Sequence, residues 1–112
     1  MYPHLERYFI NCIDRKQYID LRQVCFLLDR AKIMKYKIQY LSDNSYIVDE
    51  NNISLSQAET MINHCVLLRN MLAKFNVSYR ANDLLVGGVK NRLYEIKRIE
   101  TEILLKIIHV MD

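Results

Sequence analysis

Arg30, Lys32, Lys35 and Lys37 place four cations within eight positions, a density that could hold phosphate oxygens of a nucleic acid. The same residues have a plainer reading: basic side chains at a helix C-terminus oppose the macrodipole, and lysines on an edge strand discourage aggregation. Beside them, Tyr36, Tyr40 and Tyr46 could stack on unpaired bases. They could equally fill the buried face of a hairpin, and no RNP-type signature accompanies them.

The remaining reactive side chains form no recognisable site. His64 and Cys65 are adjacent, and adjacent helical residues point about 100° apart, so they do not face each other as base and nucleophile. Cys12, Cys25, His4 and His109 follow no zinc-ligand spacing. Gly87-Gly88 could let backbone amides approach an anion, but VGGVKNR matches neither the P-loop nor the dinucleotide fingerprint, and a turn into the last helix explains it. There is no GxSxG, HExxH, CxxC or paired-carboxylate arrangement, and Asp20, Asp29 and Asp49 read as caps and turns. Neither catalysis nor a metal nor a cofactor is expected.

Elements must position whatever these residues do. Leu5, Tyr8, Phe9, Cys12 and Ile13 recur at helical spacing over residues 4–14, with Pro3 tolerable in the first turn. Asp20 stands ready to cap a helix over 20–32 whose stripe is Leu21, Val24, Cys25 and Leu28. From Lys35 the period changes to two: Tyr36, Ile38 and Tyr40 alternate with Lys35, Lys37 and Gln39. Residues 42–44 (SDN) then offer a turn before Tyr46 and Val48 resume the alternation. This predicts a β-hairpin, 35–41 with 45–49. A central core helix over 54–75 follows, with capping boxes at Ser54/Gln57 and Ser56/Glu59 and an apolar band broad enough for contact on two sides. A terminal helix over 89–111 would run about 35 Å, longer than a small core requires. Its apolar residues Ile96, Ile99, Ile103, Ile107 and Val110 are candidates for an interface with a second copy or another helical protein.

The whole chain is 112 residues, room for one domain and one core. It is 51% hydrophobic with two glycines and one proline, far from a disordered composition. The net charge is +3 and concentrates early: residues 1–37 hold eight Lys/Arg against four Asp/Glu. That balance permits an acidic partner without demanding one. Three unpaired-pattern cysteines, no signal-like leader and no apolar run of about 20 residues predict an intracellular protein, cytoplasmic or nuclear, with no membrane partner.

The stretch YIDLRQVCFLLDRAK leading into an alternating segment resembles, over residues 18–60, the layout of small DNA-binding and antirepressor-like proteins of phages and large DNA viruses. The resemblance implies a winged-helix-like arrangement and DNA contact, and it carries over no functional residue. The expected fold is therefore a mainly α domain, α+β by virtue of one short hairpin, over residues 1–112: a helix-helix-hairpin portion (1–52), the core helix and the long C-terminal helix. The expected function is a non-enzymatic regulatory module touching nucleic acid through Arg30, Lys32, Lys35 and Lys37 and self-associating through its last helix. The alternative is a protein-interaction or scaffold subunit with no nucleic-acid contact.

Overall fold

Apolar side chains at spacings of three and four run through most of the chain, and the backbone answers with four helices: α1 (Tyr2–Asp14), α2 (Arg22–Asp43), α3 (Asn51–Ser78) and α4 (Asp83–Met111). The computed structural model describes residues 2–43, 51–80 and 82–111, with the backbone alone at residues 2, 3, 42, 51–54 and 107–111. Helix α3 packs on α2 along one side and on α4 along the other, while α1 lies against α4. Ile19 meets Asn76 at one end and Lys35 meets Glu59 further along, so α2 runs antiparallel to α3. Gly88 lies by Met71 and Glu102 bonds Gln57, so α4 does too. The result is an elongated bundle, 49 × 19 × 19 Å.

No strand occurs among the described residues, so the domain is all-α and the expected hairpin is not seen. The segment 35–41 is the second half of α2; residues 45–49 lie outside the described residues. The physical reason is that the stripe Val24, Leu28, Ala31 continues without interruption through Met34, Ile38 and Leu41, with no glycine or proline between. An alternation over six positions was weaker than a helical register already running, because one more buried residue every turn extends a helix that has been nucleated. Without a hairpin there is no wing, and the winged-helix-like layout is overturned with it.

Local chemistry fixes the ends. Asp20 accepts the Arg22 backbone amide at 3.0 Å, the capping role its position suggested. Helix α1 closes with Gln17 N–H donating to the Cys12 carbonyl and Lys16 N–H to that of Ile13, with Lys16 in the left-handed region at φ 53°. Helix α4 opens at Asn82, whose Oδ1 accepts the Leu85 amide at 2.7 Å. Gly87 and Gly88 therefore sit inside α4, neither at positive φ, and do not form a turn. Helix α3 begins at Asn51, so Gln57 and Glu59 lie inside it and reach its neighbours: Gln57 bonds Glu102 and Lys106 of α4, and Glu59 pairs with Lys35 of α2.

One core runs the length of the bundle, from Phe9, Ile13 and Ile19 through Leu68 and Leu72 to Ile96 and Ile103. Its lower end is held by Asn76, which accepts the Ile19 amide at 2.7 Å and donates to the Ile19 carbonyl at 2.9 Å. Both polar groups of a fully buried residue thus depend on one side chain. Asn76→Ala should lower the unfolding free energy by about 2–3 kcal/mol, since it strands both. Urea denaturation checks this; a change under about 0.5 kcal/mol would mean the loop has other partners.

Candidate interaction surface

A helix with one neighbouring layer needs one apolar stripe, and α2 has two. Val24, Leu27, Leu28, Ala31 and Ile38 are buried in the core. On the opposite side Phe26, Ile33, Tyr36 and Tyr40 are 66%, 53%, 70% and 62% exposed. Phe26, Ile33 and Tyr40 recur in steps of seven, nearly two turns, so they form a line about 21 Å long that drifts only about 20° per step. Tyr36 lies beside that line. The tyrosines on this segment thus point outward and do not fill the core; Tyr46 lies outside the described residues.

The four cations are not one patch. At about 100° per residue, Arg30 and Lys37 fall on the same side of α2, while Lys32 and Lys35 fall on the other. Lys35 pairs with Glu59 at 3.2 Å. Arg30 pairs with Glu100, a carboxylate that is buried on α4. Lys32 and Lys37 have no ion-pair partner among the described residues.

Arg30 and Glu100 also mark a groove. Between α2 and α4, Arg30, Ile33, Met34, Lys37, Glu100 and Leu104 line an open cleft. It continues over Ile33 and Lys37 onto Tyr36, Tyr40 and Leu41. Among the described residues, none of α1 lines either part. The reason is length: α1 has 13 residues, about 20 Å, against 29 residues and about 43 Å for α4. A helix that short cannot fill the fourth corner of the bundle from end to end.

The interface candidates on α4 divide. Ile96, Ile99 and Ile103 are buried in this chain's own core. The side chains of Ile107 and Val110 lie outside those described. Among the described side chains of that region, Leu104 and Leu105 are exposed apolar residues. Phe26 and Asp29 escaped sequence reasoning as surface features, although the seven-residue step linking Phe26 to Ile33 and Tyr40 was available in the sequence.

His64 and Cys65 do separate things. Cys65 is fully buried, and burial, with the nearby Glu100 charge, pushes its thiol up to about 12, which leaves it unreactive. His64 faces α4, where Arg92 donates to its Nδ1 at 2.9 Å. Burial and the Arg92 charge hold the imidazole below its ordinary value. Among the described residues no group of His, Cys, Asp or Glu is placed to hold a metal ion, and no helix is long and apolar enough to cross a membrane. No family model, curated protein or solved structure matches the chain.

The His64 environment sets a pH dependence. Because the folded state resists protonating this ring, the unfolded chain binds more protons there once the pH falls below the ordinary histidine value of about 6.5. The stabilisation is fully present above that pH and is lost as the pH falls below it. His64→Gln should therefore flatten the fall in urea midpoint between about pH 7.5 and pH 5.5. An unchanged slope would assign the dependence to other groups.

Proposed function

We propose that this chain is a non-enzymatic interaction module that assembles with a helical protein surface through the outer face of α2 and the groove beside it. The carrying observation is the exposed line Phe26, Ile33 and Tyr40, with Tyr36 beside it, on a helix whose other face is already buried. Single exposed apolar residues are ordinary on protein surfaces. Four large ones on one helix face make the contiguous kind of patch that marks a contact site.

Nucleic-acid contact through Arg30, Lys32, Lys35 and Lys37 has less behind it. Phosphates of one strand approach from one side, and α2 sends these cations to two. Arg30 and Lys35 are also committed to Glu100 and Glu59, which cancels their charge locally.

Light scattering with and without a random-sequence DNA duplex, across a salt series, tests the reading. The expected mass is indifferent to the duplex. A mass that rises with duplex at low salt and falls as salt is added, with a slope of about 0.9 in log K for each phosphate contact, would overturn it in favour of nucleic-acid binding.

A further inference from the structure

We infer that the occupant of the outer α2 face is a second copy of this chain, its α2 lying parallel to the first about a two-fold axis along the helices. The inference rests on the contact surface proposed above and names what covers it. It follows from the chemistry on the two flanks of the Phe26–Ile33–Tyr40 line.

On the flank towards α4 stand Arg30 and Lys37; on the other stand Asp29 and Tyr36. Asp29 and Lys37 have no ion-pair partner among the described residues, and Asp29 caps nothing, since it lies mid-helix. Two helices paired antiparallel by a two-fold axis bring each flank against itself. Lys37 would then face Arg30 of the second copy, and Asp29 its Tyr36, so neither unpaired charge meets an opposite one. Two helices paired in parallel bring each flank against the other at the same height. Asp29 then meets the half-exposed guanidinium of Arg30 of the second copy, which keeps its Glu100 pair and offers its remaining N–H donors to a second carboxylate, and Lys37 meets the ring of Tyr36 in a cation–π contact, each made twice.

The seam itself fits the same geometry. Phe26, Ile33 and Tyr40 each meet their own counterpart in a parallel pair, and their drift of about 20° per step is what a left-handed supercoil takes up. Arg22, one turn before Phe26, would place a cation near the seam, but Asp20 already pairs with it at 2.6 Å. Tyr36 of the second copy reaches the mouth of the groove lined by Ile33, Lys37 and Leu104, the part of the fourth corner that α1 leaves open. A partner of opposite, purely acidic character would leave Asp29 facing like charge.

The test combines mass with a cysteine in the seam. Light scattering of the full chain should give a dimer, and Ile33→Asp should give a monomer with unchanged far-UV circular dichroism, since Ile33 is half exposed and its loss leaves the core intact. Asp29→Lys should raise the dissociation constant about tenfold, from two symmetric contacts worth about 0.7 kcal/mol each, while Asp29→Glu leaves it near the parent value. With Cys25→Ser as background, Phe26→Cys should cross-link to itself under mild oxidation and Lys32→Cys should not. Two results overturn the inference: a monomeric parent at every soluble concentration, or cross-linking only when Phe26→Cys is mixed with Tyr40→Cys, the antiparallel signature. Neither depends on the response to DNA, which judges the broader reading separately.

Discussion

Helix length is the constraint from which the rest of this structure follows. Three helices of 22, 28 and 29 residues lie side by side, and the remaining one has 13. A bundle corner filled over about 20 Å and left open beyond it exposes whatever its neighbours would have buried there. In this chain the neighbours are α2 and α4, and they leave Ile33, Leu104 and the Arg30 guanidinium open to solvent, with Met34 half-buried and the Glu100 carboxylate buried. The ion pair bridges the two helices where no third helix packs over them.

Helix α2 consequently has two apolar faces of different status. Its inner face, from Val24 to Ile38, joins the core and carries the usual burial energy, about 25 cal/mol for each Å² of apolar surface removed from water. Its outer face stays largely exposed among the described residues. Phe26, Ile33, Tyr36 and Tyr40 stay in water, where smaller polar residues would serve the fold equally well. A sequence that keeps large apolar groups at a regular step on a solvent face is consistent with assembly, and the opposed chemistry of Arg30/Lys37 and Asp29/Tyr36 selects among the ways of assembling.

The parts of this architecture governed by nearby residues were legible in the sequence. The stripe of α1, the Asp20 cap, the two-sided apolar band of α3 and the helical character of the last segment all depend on spacings of three to seven, although α4 begins at Asp83 and not at the expected residue 89. Residues 35–41 were misread because alternation over so short a window is shared by strands and by a helix with a buried Ile38 between exposed Tyr36 and Tyr40. The glycine pair misled for a related reason: both residues take ordinary helical dihedrals in α4, where Gly88 faces Met71. The Arg30–Glu100 pair and the Asn76–Ile19 clamp join residues 70 and 57 positions apart, and no local pattern encodes them. The division of the four cations between two sides of α2 became visible only when that segment was helical.

Hydroxyl-radical footprinting across a protein concentration series tests the α2 contact most directly. Tyr18 and Tyr94 are 65% and 64% exposed and lie off the outer α2 line, so they serve as internal references. Pairing through α2 predicts that Phe26, Tyr36 and Tyr40 label as fast as these references in dilute protein and become protected together as concentration rises. Labelling of all five side chains at a constant ratio across the whole series would contradict it.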